Sequence, residues 1–190
     1  MIEYFSLIDQ KLFLIINSWH ADWLNPIMVL FSGQLIWVPF LILVFAIAFK
    51  KLNRKSFFLF MLFLVLALIA SDVTSSYVLK NIVQRLRPCR IPELKALIFS
   101  FGQKCGGRFG FVSSHAANSV CVLMFSTIAL RIKSRAFHCL WLLPLLVSFS
   151  RIYLGVHYPG DILGGMFVGL MWGSLMAIIF RNQKLWGQSA

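Results

Sequence analysis

Five long apolar runs decide what this chain can fold into: residues 24–49, 57–79, 116–130, 137–154 and 162–180. A helix needs about 20 mostly apolar residues to cross the hydrocarbon core of a bilayer, and each run comes close. Gly33 and Gln34 interrupt the first, Pro39 is placed to kink it, and the third is short. Of the 190 residues, 59% are apolar and 13% charged, against roughly 45–50% and about 25% in a soluble domain. That composition argues against a water-soluble globule, and its hydrophobicity excludes a disordered chain. The expected fold class is all-α: an integral membrane helical bundle of five to six spans.

The first residues do not read as a secretory signal. Glu3 and Asp9 stand where a basic start belongs, and no small-residue cleavage pattern follows. Tyr4, Phe5, Ile8, Leu12, Ile15 and Ile16 recur at helical spacing, with Gln10, Lys11 and Asn17 elsewhere on the wheel. This predicts an amphipathic helix lying in the membrane interface. Trp19, Trp23 and Trp37 fit an aromatic belt. The expected organisation is a single membrane domain over 1–190. An interfacial helix covers 1–22, a bundle 23–180 with an outer-face loop at 81–114, and a cytoplasmic tail 181–190.

The charge is the odd feature, with 18 Lys and Arg against 6 Asp and Glu, a net +12. With an odd number of spans, one group of cations shares one side: Lys50, Lys51, Arg54, Lys55, Arg131, Lys133, Arg135, Arg181 and Lys184. The positive-inside rule makes that side cytoplasmic. Lys80, Arg85, Arg87, Arg90, Lys95, Lys104, Arg108 and Arg151 fall on the opposite face, which topology usually leaves poor in cations. Binding of anionic lipid headgroups explains them in one way, a site for an anionic substrate in another. Nucleic acid is excluded as a partner, because the aromatics lie in the spans and form no base-stacking platform.

Three polar clusters mark the outer ends of the spans. Lys80 and Arg87, seven residues apart and followed by Pro88, would project from one face of a helix that stops at the proline. Ser113-Ser114-His115 precedes the third apolar run, where a serine caps a helix and free N–H groups meet a phosphate. The third cluster runs from Ser150 and Arg151 through His157 to Asp161. Pro159 and Gly160 favour a turn, and Asp161 falls in the first turn of the last span. A carboxylate there can accept a hydrogen bond from one nitrogen of His157, leaving the other nucleophilic.

In order and at span ends, Lys80…Arg87-Pro88, Ser113-Ser114-His115 and Ser150-Arg151…His157…Asp161 resemble the three-part signature of the type 2 phosphatidic acid phosphatase family. The middle part departs from the family's Pro-Ser-Gly-His, with Val112 for the proline and Ser114 for the glycine. The resemblance implies a metal-independent phosphatase without cofactors, acting on a lipid phosphate in the bilayer. It implies that His157 attacks phosphorus, Asp161 orients it and His115 protonates the leaving oxygen. Lys80, Arg87, Ser113, Ser114 and Arg151 would bind phosphate oxygens. The expected substrate is undecaprenyl diphosphate, with phosphatidylglycerophosphate, phosphatidate and lipid A phosphates as alternatives, or a phosphotransferase on the same site. The expected location is a bacterial cytoplasmic (inner) membrane with the site facing the periplasm.

Smaller signals complete the reading. Cys89 and Cys105 share the outer loop with 15 residues between them, so a disulfide is expected there if the loop is periplasmic. Cys121 and Cys139 are expected to pack. Gly165, Gly169 and Gly173 form a small-residue stripe for helix packing. Asp72, inside the second run, is expected to bond a Ser, Thr or Tyr of a neighbouring span.

Overall fold

Helix ends are fixed by local chemistry, and the ends place the site. The computed structural model describes residues 2–33, 35–102 and 104–186; Gln34 and the last four residues of the tail lie outside them. Helix α1 is Ile2–Asn17 and α2 is Asn25–Ser32, with Pro26 in its first turn. Helix α3 is Trp37–Lys51, and α4, Arg54–Val73, is capped by Asn53 Oδ1 accepting from Ser56 N at 2.8 Å. A π-helical turn, Thr74–Val78, carries α4 on through Leu79–Val83. Beyond the outer loop come α5, Ser114–Ala129, capped by Ser113, then α6, Leu142–Tyr153, and α7, Pro159–Trp186.

Among the described residues two helices are long and apolar enough to cross a membrane, Arg54–Val83 and Pro159–Gln183; the bent pair α2 and α3 makes a third if taken as one span. The expected third and fourth spans appear as shorter apolar helices, Ser114–Ala129 and Cys139–Tyr153. Helix α5, at 16 residues, is about 24 Å long, shorter than the roughly 30 Å hydrocarbon core. The break in the first apolar run falls after Ser32, whereas Pro39 sits in the first turn of α3, where its missing N–H costs nothing. The last helix runs past residue 180 to Trp186, so the expected tail begins as helix.

Helices α4, α5 and α7 form the heart of the bundle. Phe60, Phe125 and Phe180, one from each, have ring centroids 5.1 to 6.2 Å apart. The glycine stripe of α7 lies against the backbone of α5. A Cβ at Gly165 would strike Ser113 O, one at Gly169 would strike Ala117 O, and one at Gly173 would come within 2.7 Å of Cys121 O. Two four-residue repeats thus mesh, and the contact is intramolecular. Outward-facing Phe58, Leu62, Ile69, Leu163 and Phe167 are exposed, as a lipid-facing exterior requires. At the basic end of the bundle Lys51 Nζ donates to Leu130 O at 3.2 Å, so the two basic loops meet there.

Helix α1 docks by a different face from the one its apolar stripe suggests. Asp9, Phe13 and Asn17, at i, i+4 and i+8, turn inward, whereas Ile8, Leu12 and Ile15 remain exposed. Asn17 Nδ2 donates to Tyr153 O at 2.8 Å and to Phe99 O at 3.0 Å, and its Oδ1 accepts from Phe99 N at 2.7 Å. A residue placed on the polar side of the wheel is therefore the anchor. Trp19 and Trp23 are exposed, but Trp37 turns inward to line a cavity. Cys121 is buried as expected, whereas Cys139 is exposed in the helical turn Cys139–Trp141 that leads into α6.

Candidate active site

Helix α4 does not carry Lys80 and Arg87 on one face. It ends at Val83 because Gln84 takes a left-handed conformation (φ 51°), well before Pro88. The chain then pairs with the far end of the outer loop: Gly110 N donates to Arg85 O at 2.8 Å, and Leu86 faces Phe109 in an isolated bridge. Cys89 and Cys105 are joined as a disulfide just beyond, with Cα atoms 5.9 Å apart. This clip swings Arg87 inward. Gly110 permits it, since a Cβ there would lie 3.0 Å from Asp161 Oδ2 and 3.2 Å from Arg87 Cγ.

Four segments converge on His157, which is 1% exposed. Its Nδ1 lies 3.3 Å from Asp161 Oδ2, and its Nε2 lies 2.9 Å from Arg87 Nη1. A guanidinium can only donate, so Nε2 is the nitrogen with the free lone pair and the proton sits on Nδ1, facing the carboxylate. Burial pulls the His157 ring well below the ordinary histidine value, and Arg87, Arg151 and Lys80 pull the same way. The ring therefore stays neutral.

Asp161 is wholly buried and held from three sides. Oδ2 also accepts from Tyr158 N at 3.0 Å, and Oδ1 accepts from Arg85 Nη1 at 3.2 Å. Its own backbone carbonyl accepts from Ser113 N at 2.9 Å, which fixes the start of α5 against the start of α7. Arg151 sits at the end of α6, and its carbonyl accepts from Val156 N and His157 N. Its Nη1 donates to Ser32 Oγ, at the break after α2. Nε of Arg87 and Nε of Arg151 are buried with no partner among the described residues. Unpaired buried donors of this kind are costly, and a phosphate oxygen would satisfy them. Lys80 and His115 interact electrostatically with both arginines, which puts them in the same cluster.

The structure thus gathers Lys80, Arg87, Arg151, His115, His157 and Asp161 at one end of the bundle. Ser113 lies fully buried as the cap, and Ser114 lines the cavity beside His115. Arg85, placed by its sequence position among the free outer cations, is instead bound to Asp9 Oδ2 at 2.6 Å and to Asp161. Asp9 in turn accepts from Gly160 N at 2.8 Å. Sequence reasoning missed Asp9, Ser32 and Gly110. An acid within the apolar stretch of an amphipathic helix, four residues before Phe13, is the one signal the sequence offers for Asp9.

A lipid-facing helical bundle that assembles a neutral buried histidine, its carboxylate and unpaired guanidiniums at one end defines an integral membrane enzyme for a phosphorylated substrate. The chain belongs to the PAP2 superfamily, whose family model matches residues 58–185, and it is a membrane lipid phosphatase. It is 34% identical over 182 residues to the Lipid A 4'-phosphatase of Bacteroides thetaiotaomicron, covering 94% of this chain and 80% of that one. It is 28% identical to the Undecaprenyl-diphosphatase of Sulfolobus acidocaldarius, over 90% of this chain and 77% of that one. Its fold matches the crystal structure of the transmembrane PAP2 type phosphatidylglycerolphosphate phosphatase from Bacillus subtilis. The TM-score is 0.67 at 23% identity, over 92% of this chain and 86% of that one.

Proposed function

We propose that the chain removes the phosphate of a phosphorylated glycolipid of the lipid A type through a phosphohistidine intermediate. The observation that carries the mechanism is the placement of the His157 ring, with Nδ1 3.3 Å from Asp161 Oδ2 and Nε2 2.9 Å from Arg87 Nη1, which favours the tautomer with its proton on Nδ1. As phosphate enters, Arg87 Nη1 transfers its hydrogen bond to a phosphate oxygen and releases the Nε2 lone pair. Nε2 then bonds to phosphorus while the ester P–O bond breaks, and His115 gives the leaving oxygen its proton. Water, losing a proton to His115, attacks the phosphohistidine and frees inorganic phosphate and His157. Arg87, Arg151 and Lys80 bind the equatorial oxygens, aided by Ser113 and Ser114 at the start of α5. Such positioned charge carries most of the work in phosphoryl transfer.

The sequence alone favoured undecaprenyl diphosphate. The 34% identical relative, a Lipid A 4'-phosphatase, supports a glycolipid phosphomonoester instead, and the Undecaprenyl-diphosphatase relative, at 28%, keeps the diphosphate as the second reading. The site end of the bundle lies opposite the basic loops around Lys51 and Leu130, which supports a periplasmic site in an inner membrane. Phosphate release by purified protein from a panel of glycolipid, glycerolipid and polyprenyl phosphates tests the assignment. His157→Ala serves as the control and is expected to lose about 10⁴-fold or more in turnover. Failure to trap phosphate on His157 after an acid-free quench of the active enzyme would sink the covalent step.

A further inference from the structure

Adjoining the site is a cavity of about 350 Å³ between α3, α4 and α5, of whose lining the mechanism above uses only Ser114 and His115. Its wall carries Trp37, Leu41, Leu68 and Val122 on the apolar side, and Asp72, Asn118, Ser114 and His115 on the polar side. The volume is at the lower end for small-molecule pockets, about 300–1,000 Å³. It is too small for a whole lipid and suits one polar ring. His115, the group that protonates the leaving oxygen, is on its wall. In an in-line displacement the leaving group departs opposite the nucleophile, so what the phosphate leaves behind lies on the His115 side of phosphorus.

Asp72 and Asn118 face this space as a hydrogen-bonded pair. Asp72 Oδ1 accepts from Asn118 Nδ2 at 3.0 Å and from Ser76 Oγ at 3.3 Å. The expected Ser, Thr or Tyr of a neighbouring span is thus an asparagine, and the hydroxyl comes from the same helix. Both donors go to Oδ1, so Oδ2 has none among the described residues. Asn118 Oδ1 is buried with no partner. The pair therefore leaves two acceptors open, Asp72 Oδ2 and Asn118 Oδ1, beside the one remaining Asn118 Nδ2 hydrogen, and a ligand must meet those acceptors with donors of its own. A carboxylate held in a mainly apolar wall is unusual enough inside an apolar helix to mark a functional position. The π-helical turn that begins two residues after Asp72, Thr74–Val78, is itself a feature common at functional sites.

We propose that this cavity is the leaving-group pocket, in which Asp72 and Asn118 accept hydrogen bonds from hydroxyl or amide groups of the sugar that carried the phosphate. The proposal rests on the phosphatase reading above and deepens it. A polyprenyl chain brings no donor and leaves both acceptors unpaired. The leaving group of a diphosphate is worse, because it is an anion set beside the Asp72 carboxylate, with no Lys or Arg among the described residues of the cavity wall. A site that hydrogen-bonds a substrate hydroxyl discriminates strongly against analogues lacking it.

The test measures kcat/KM of purified protein on an acylated glucosamine 4-phosphate, a polyprenyl monophosphate and a polyprenyl diphosphate. The wild type is expected to prefer the glycolipid. In Asp72→Asn and in Asn118→Ala the ratio of glycolipid to polyprenyl monophosphate should fall tenfold or more, and in Asp72→Asn the diphosphate should gain relative to the monophosphate. Two variants guard against misfolding in either one, and elution in detergent at the wild-type position is the check. An unchanged ratio in variants that remain active overturns the pocket while leaving the phosphatase intact, as does loss of all three activities together. No release from any substrate by the wild type overturns the phosphatase reading and the pocket with it.

Discussion

Asp9 Oδ2 lies 2.6 Å from Arg85 Nη1, and the same Arg85 nitrogen lies 3.2 Å from Asp161 Oδ1. The amino-terminal helix is thereby wired to the carboxylate that orients His157. Asp9 also receives the Gly160 N–H at the start of α7, and Arg85 lies 3.9 Å over the ring of Tyr158. Asp9 touches no reacting atom and acts as a positioning residue. Losing it frees Arg85 to leave Asp161, so Asp9→Ala is expected to lower kcat about tenfold to a hundredfold with KM little changed. Steady-state kinetics on one lipid phosphate decide it, and a rise in KM alone would mean that α1 serves substrate entry instead.

The pH dependence follows from His157. Burial and three neighbouring cations hold its ring well below the ordinary value, so in the folded protein it remains neutral where an unfolded histidine is charged. The unfolded chain then binds more protons below about pH 6.5, and stability falls as pH drops through that value. One such group contributes at most about 1.4 kcal/mol per pH unit. Arg87→Gln removes a cation that depresses the ring, so the acid limb of kcat/KM should move to higher pH. Comparing both enzymes on one substrate cancels the titration of the substrate phosphate, and an unmoved limb would show that the limb does not belong to His157.

The α5–α7 seam should be intolerant of a single methyl group. A Cβ at Gly169 would also lie 2.9 Å from Val120 Cβ and 3.0 Å from Cys121 N. Overpacking of this kind costs about 1–3 kcal/mol. Gly169→Ala should lower the midpoint of thermal unfolding in detergent and, by parting Ser113 from Asp161, lower turnover as well. A wild-type midpoint would show that the helices separate without cost.

The disulfide closes a loop of 16 positions over the site, worth about 3 kcal/mol by loop-closure entropy. Cys89→Ala should lower the unfolding midpoint accordingly and weaken the clip that swings Arg87 inward. Alkylation followed by intact mass, without reductant, should leave both Cys89 and Cys105 unmodified in the wild type. Labelling of both would refute the bridge.

The sequence determined the helical class and the membrane setting and pointed to the residues of the candidate site, because each is written locally. Apolar runs are contiguous, and the His157…Asp161 spacing with its turn spans five residues. Local signals also fixed the cap at Ser113 and the glycine repeat on α7. What the tertiary structure decided depends on contacts between distant residues. Lys80 and Arg87 look like one helical face by spacing, yet Gln84 ends the helix, and Arg87 reaches His157 only because Gly110 and Phe109 return beside it. Arg85 reads as a free surface cation until Asp9 arrives from 76 positions away. Asn17, on the polar side of its wheel, proves buried because backbone groups of Phe99 and Tyr153, in other segments, need it. Ser32 and Asn118 gain meaning only from the Arg151 and Asp72 packed against them. Periodicity reports which residues share a face. It cannot report which other face will be brought against them, and in this protein that choice set which charges were paired and which buried guanidinium donors, Arg87 Nε and Arg151 Nε, were left without a partner among the described residues.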